Sequence, residues 1–178
     1  GIVLDELNTQ LKPFGLHVPL DISTSDRATV GGMIANNSSG TRSVVYGKTL
    51  DYVMEMTVVL SDGSVVEFRP LSDQELAGKC DQPGLEGDCY RVVRRLATEH
   101  GAEIYRRFPR ILRRVGGYNL DEFVEGGRRK AEGGREGGRE EGETPFLPPS
   151  AFRLPPSFRP PSAFNLSRLI VGSEGTLC

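Results

Sequence analysis

Cysteine and histidine are scarce: Cys80, Cys89 and Cys178 are the three cysteines, and His17 and His100 the two histidines, in 178 residues. An odd cysteine count without a CxxC pair fits neither a disulfide framework nor a zinc site, and the thiols are expected to be reduced, as in a cytosol-like compartment. Apart from Glu103 beside His100, neither histidine has a second potential ligand at i+3 or i+4. Both are expected in loops or facing solvent, and no metal is expected. An excess of one charge is missing too, since 22 Lys and Arg stand against 24 Asp and Glu. A dedicated nucleic-acid or anionic-membrane binder shows a basic excess, so the balance argues against both classes and leaves only local patches open. No apolar run approaches the ~20 residues needed to cross a bilayer, so no membrane span is expected. The opening Gly-Ile-Val-Leu-Asp has no basic region ahead of a hydrophobic stretch. The chain is expected to be soluble, and, opening without Met, to start at an internal point of a longer protein. Its length allows one ordinary domain, or a small domain with a disordered appendage, at roughly 100–200 residues per domain.

Large apolar side chains vanish from Gly126–Glu143, GGRRKAEGGREGGREEGE, which cannot bury a core and is expected to be disordered. Thr144–Phe164 follows with seven of the 12 prolines and with PPSAF twice, at Pro148–Phe152 and Pro160–Phe164. Proline fixes φ and removes donors, so this stretch is expected to be extended. It reads either as a ligand for a proline-recognition domain or as a low-complexity insertion. The flanks read as a compact α/β segment. Leu4, Leu7 and Leu11 give a short helix ended by Pro13 and Gly15. Met54–Phe68 holds two β-branched runs joined at Asp62-Gly63, a hairpin signal. Cys80–Glu86 reads as a loop. Tyr90–His100 reads as a helix with Val92, Val93, Leu96 and Ala97 on one face and Gly101 as its stop. Eight arginines lie between Arg91 and Arg114 against the acids Glu99 and Glu103. They are read as a solvated basic face; a nucleic-acid surface or a docking face for another part of a longer protein are the alternatives.

Chemistry concentrates in Pro19–Gly47, PLDISTSDRATVGGMIANNSSGTRSVVYG. In Ala28–Gly40, glycines let the backbone come close to a bound group, and their amides at a helix start can face a phosphate. Thr29, Asn36, Asn37, Ser38 and Ser39 can add side-chain hydrogen bonds, each worth roughly 1.5–3 kcal/mol to a charged partner. Such a site suits a diphosphate. Neither the Gly-Lys-Ser/Thr ending of a P-loop nor GxGxxG after a strand is present, which disfavours a nucleoside triphosphate and a Rossmann dinucleotide site. By residue type alone, a Gly- and Asn-rich turn is more often structural than ligand-binding.

ATVGGMIANNSSGTRSVVYG, followed by Leu50-Asp51-Tyr52-Val53 and the TVVLSDGSVVEF hairpin, closely resembles the FAD-binding domain of the vanillyl-alcohol oxidase and p-cresol methylhydroxylase superfamily. The nearest branch is that of the FAD-linked 2-hydroxy-acid dehydrogenases: D-lactate dehydrogenases, the flavin subunit of glycolate oxidase and D-2-hydroxyglutarate dehydrogenase. Asn165–Leu177, NLSRLIVGSEGTL, is similar to the later Gly-Ser-Glu-Gly-Thr segment of that family, and Arg113–Phe123, RRVGGYNLDEF, to what precedes it there. The resemblance covers about 1–125 and 165–177, so 1–125 and 165–178 are expected to form one FAD-binding domain, with 126–164 a disordered insertion. It implies an α+β fold, the second subdomain of a PCMH-type FAD-binding domain, with a mixed or antiparallel sheet flanked by helices.

The resemblance also implies FAD as cofactor. Ala28, Thr29, Gly31 and Gly32 would contact its diphosphate and ribityl region. Asn36, Asn37, Ser38, Ser39 and Gly40 would continue the cradle, and Tyr46 and Gly47 would close it. Glu174, Gly175 and Thr176, with Ile170 and Val171 leading in, would line the adenosine or ribityl side. The family's Arg-Gly-Gly-type phosphate loop and its substrate cap have no counterpart here, so no catalytic base can be nominated. The implied function is the FAD-binding part of an enzyme that oxidises a small-molecule D-2-hydroxy acid such as D-lactate to the 2-oxo acid and passes electrons to a separate acceptor. The rival readings are an inactive truncated or mis-spliced product, and an interaction module built on the Arg-rich helix and the proline repeats.

Overall fold

The computed structural model describes residues 1–109, 111, 114–124 and 163–177. Residues 126–162, most of the segment read as a disordered insertion, lie outside the described residues, as does Cys178.

The leucine spacing makes α1, Leu4–Leu11, with Asp5 and Glu6 in its first turn, where carboxylates favour the amide-rich end. Pro13 and Gly15 end it as expected: a 3-10 turn over Lys12–Phe14 closes on Gly15 in the left-handed conformation. The Leu4 amide donates to the Ala28 carbonyl at 3.1 Å and the Val30 amide to that of Ile2 at 2.9 Å. The start of α1 is thereby laid against the start of α2, Val30–Ala35. Leu4, Leu20 and Met33 form a small core there, with Val18, Ile22, Ala28 and Tyr52 around it. A short helix α3, Ser43–Tyr46, follows.

The hairpin forms at Asp62-Gly63. β1, Met56–Val59, pairs antiparallel with β2, Val65–Phe68, Val58 opposite Val66 and Val59 opposite Val65. The Asp62 carboxylate holds the turn by accepting from the Ser64 amide and hydroxyl at 2.9 and 2.6 Å. Val58, Val66 and Phe68 are buried, while Val59 and Val65 face outward. A two-stranded ribbon alone is marginal. Here its buried side chains join Leu76 of α4, Asp73–Asp81, and Tyr90 and Val93 of α5, Leu85–Glu99, in the main core. Phe68 meets Tyr90 edge to face, centroids 6.0 Å apart.

Helix α4 replaces part of the expected loop at Cys80–Glu86, which is helical at both ends. Its signal is Ser72-Asp73-Gln74-Glu75, a capping box: the Ser72 hydroxyl accepts from the Glu75 amide at 3.3 Å, and the Glu75 carboxylate accepts from the Ser72 amide at 2.8 Å. The Ser72 amide, then Arg69, hold the Glu75 carboxyl down at about 2. Helix α5 starts at Leu85 rather than Tyr90. Gly101 opens α6, Gly101–Arg107, after a break at His100 instead of ending the helical run, and Ile104 is buried. Of the expected apolar face Val93 is buried as read, Val92 is exposed, and Tyr90 turns inward beside Val93. On the solvated surface Arg91 pairs with Asp88, and Arg106 and Arg107 with Glu103, while Arg114 pairs with Asp121 in a largely buried contact.

The chain re-enters at Ala163 and forms α7, Ser167–Ile170. The Phe164 carbonyl accepts from the Leu71 amide at 2.9 Å, and its ring lies 4.9 Å from that of Phe123 and 6.2 Å from that of Tyr90. Ala163 and Phe164, the last residues before the boundary expected after Phe164, are described with the folded part, and the phenyl ring stands against those of Phe123 and Tyr90. The described residues form an α+β arrangement, helices around one small antiparallel sheet. Among the described residues no helix is long and apolar enough to cross a membrane.

Candidate functional site

Thr29 caps α2, its hydroxyl accepting from the Gly32 amide at 3.2 Å. Thr29, Gly31 and Gly32 are exposed, and a Cβ added at Gly31 would meet nothing within 4 Å. Ala28 is half-buried against the small core. At Gly40 the opposite holds. A Cβ there would stand 2.0 Å from the Asp21 carbonyl oxygen, so only glycine lets the 36–41 loop run beside residues 21–24. The Thr41 amide donates to that same carbonyl at 3.1 Å. Between these segments opens a cavity of about 560 Å³, lined by residues 21–24, Asn36 through Thr41, and Val115.

The walls are short and polar. The Ser38 hydroxyl donates to the Asn36 side-chain oxygen at 2.7 Å, and the buried Ser39 hydroxyl has no partner among the described residues. Behind the wall, the Ser38 carbonyl accepts from the Thr49 amide and hydroxyl at 3.0 and 2.9 Å. Asn37, expected to contact a ligand, borders the cavity and is itself fully buried. Its side-chain oxygen accepts from the Leu50 amide at 3.0 Å and its φ is +50°, so the side chain ties the loop to the protein interior. Tyr46 ends α3 and Gly47 follows it; like Ala28, Thr29, Gly31, Gly32 and residues 170–176, they are not among the lining residues, and the Tyr46 carbonyl accepts from the Tyr52 hydroxyl.

Residues 172–176 meet the end of α2. The Gly172 amide donates to the Ile34 carbonyl and the Glu174 amide to the Ala35 carbonyl, both at 2.9 Å, where α2 ends. The two stretches expected to share one ligand are thus in backbone contact. Glu174, Gly175 and Thr176 are exposed beside this seam. Val171 is fully buried and Ile170 packs against the main core, so their side chains support the loop rather than reach a ligand. Asn119, also fully buried, donates to the carbonyls of Val171 at 2.7 Å and Arg168 at 3.1 Å. The hydroxyls of Tyr118 and Thr176 bond at 2.8 Å.

Asp21, Ile22, Ser23, Thr24, Thr41 and Val115 line the cavity although none was a candidate site residue in the sequence. Residues 21–24 stand in the same polar stretch as the glycines, which is the signal that marks them; Val115 arrives from far along the chain. Around the cavity the charges are paired or held: Arg42 lies 3.5 Å from Asp21, and the Lys48 ammonium donates to the Arg114 carbonyl at 3.0 Å. Burial pushes the Asp121 carboxyl up, against the pull of Arg114. A wall of backbone groups, hydroxyls and amides can hydrogen-bond an oxygen-rich group.

Residues 1–69 match the family model of the FAD binding domain. The D-2-hydroxyglutarate dehydrogenase of Pseudomonas putida is 42% identical over 120 residues, covering 67% of this chain and 12% of that protein. That of Escherichia coli is 37% identical over an alignment of 184 residues, covering 99% of this chain and 14% of the relative. The D-lactate dehydrogenase of Anaerostipes hadrus is 45% identical over 68 residues, 38% of this chain and 14% of the relative. The chain thus spans 12% to 14% of the length of these curated relatives. No solved structure matches. The Gly- and Asn-rich stretch lies inside the residues that match the FAD binding domain, and the chain is similar to D-2-hydroxyglutarate dehydrogenase, D-lactate dehydrogenase and the GlcD subunit of glycolate oxidase, consistent with the PCMH-type FAD-binding branch.

Proposed function

We propose that residues 28–40 and 174–176 form the cradle for the diphosphate and ribityl region of FAD, and that in the whole protein this flavin oxidises a D-2-hydroxy acid to the 2-oxo acid. The observation that carries the reading is the seam at Ile34 and Ala35, which brings both stretches to one place. The fit to FAD rests on the cavity of about 560 Å³, on the Ser39 hydroxyl, buried and without a partner among the described residues, and on the bare backbone at Gly31. The relatives' names, D-2-hydroxyglutarate and D-lactate dehydrogenase, support the substrate class.

When bound, FAD supplies the hydride-accepting chemistry at the α-carbon of the hydroxy acid. The work of this chain is binding. Thr29, Gly31, Gly32, Asn36, Ser38, Ser39 and Gly40 present amides and short side chains to the diphosphate. Glu174, Gly175 and Thr176 line the adjoining side, with Tyr46 and Gly47 at the far end of the same stretch. Ala28, Asn37, Ile170 and Val171 hold those segments from within. An electron acceptor separate from this chain reoxidises the flavin. To the same proposal belong the finer fold assignment, the second subdomain of a PCMH-type domain, and the organisation of 1–125 with 163–178 as one domain around the block at 126–162.

Gly31→Val is the clean test. The space at Gly31 is open within the chain, so the variant is expected to keep the wild-type circular dichroism. Its branched side chain obstructs close approach of a ligand, and FAD affinity measured by flavin fluorescence quenching is expected to fall at least about tenfold, a loss of ~1.4 kcal/mol. Unaltered affinity would remove Gly31 from the cradle.

A further inference from the structure

We infer that Gly172, seconded by Asn37, is a positioning residue that sets the spacing between the two walls of the cradle; this rests on the proposed FAD site. The family resemblance assigns ligand contacts by residue to Ile170, Val171, Glu174, Gly175 and Thr176, and no positioning role to Gly172. Its φ is +85°, in the region that favours glycine, and a Cβ there would lie 3.1 Å from the Val115 carbonyl oxygen, 3.4 Å from the Asn37 Cβ and 3.4 Å from the Gly117 carbonyl oxygen. Three segments therefore converge where its side chain would be: the 36–41 loop, the 115–117 turn and the 172–176 loop.

The hydrogen bonds explain what this convergence does. The carbonyls of Ile34 and Ala35, at the end of α2, are satisfied by the amides of Gly172 and Glu174. Residues distant in sequence thus finish the helix that carries Gly31 and Gly32. Asn37 holds the same joint from the other side through the Leu50 amide, with its own φ at +50°. Val115 both lines the cavity and sets its carbonyl against Gly172, so a side chain at 172 presses on the cavity wall itself. Docking of the 172–176 loop and shaping of the diphosphate wall are one event.

The experiment compares the full chain as wild type, Gly172→Ala and Gly15→Ala. Gly15 has a φ of +69° and open space around it, so Gly15→Ala carries similar backbone strain away from the seam. Two quantities are read: hydrogen exchange of the Glu174 amide, and affinity for FAD beside affinity for riboflavin, which lacks the diphosphate. In Gly172→Ala, Glu174 exchange is expected to rise and FAD affinity to fall about tenfold or more, with riboflavin affinity within about twofold of wild type. Gly15→Ala is expected to change neither reading beyond about twofold. FAD affinity retained in Gly172→Ala while Glu174 loses its protection overturns the inference alone, as does an equal loss for FAD and riboflavin. A wild-type chain that takes up no FAD overturns the proposed function and this inference with it. Should Gly172→Ala not fold, Asn37→Ala, which removes the Leu50 bond, is held to the same outcomes.

Discussion

The hairpin and its helices are joined by side chains, whereas the cradle is joined by backbone. In the first region Phe68, Tyr90, Val58, Val66 and Leu76 bury one another around the hydrogen-bonded hairpin. In the second, few large side chains meet: Gly40 and Gly172 let strands of backbone approach, while Asn37 and Asn119 fasten loops through carbonyls and amides. The difference is one of purpose. Area burial gives stability without directing any polar group outward. Backbone joints leave hydroxyls and amides aimed at a cavity, at the cost of requiring particular residues at particular φ.

That contrast breaks if the core does not depend on packing. Phe68→Ala removes a ring that is 2% exposed and edge-on to Tyr90, and is expected to cost about 3–5 kcal/mol in urea unfolding. A cost under about 1 kcal/mol would mean that something other than packing holds the ribbon. Asn119→Ala sharpens the other half. It strips the Val171 and Arg168 carbonyls of their donor, and about 2 kcal/mol of stability is expected to go, with a parallel fall in FAD affinity that Phe68→Ala variants still folded do not share.

The smallest effect probes the boundary between the two styles, a polar group inside the side-chain core. Burial pushes the Tyr90 phenol up to about 12 from an ordinary 10.0, and its hydroxyl has no partner among the described residues. Because the folded value is the higher one, the fold keeps the phenol protonated. Its contribution is complete below pH 10 and is lost as pH rises toward 12. Tyr90→Phe is expected to leave the chain as stable or more stable by on the order of 1 kcal/mol, and to flatten the alkaline loss in that window. Destabilisation by Tyr90→Phe would reveal a partner for the hydroxyl.

The two regions are also unequally legible. Alternation and Asp62-Gly63 announce the hairpin, and the leucine spacing announces α1, because in both the buried face repeats. Helix α4 escapes notice since Leu76 is its one buried residue, too little for a period, although Ser72 and Glu75 spell out its cap. Gly101 misleads because a glycine at the break between two helices looks like one that ends a helical run. The cradle is visible only through resemblance: nothing in the type of Asn37 or Val171 tells that each is turned inward. Nor can the sequence reveal that Asp21, Thr24 and Val115 share a wall, since their meeting depends on the bare backbone of Gly40 and Gly172.

The most direct measurement is an amide chemical-shift map of the isotope-labelled chain titrated with FAD. Perturbations concentrated in both residues 29–41 and 172–176, saturating together, are the result this account expects. Perturbations confined to one of the two stretches, or gathered on the hairpin and α5 instead, would contradict it.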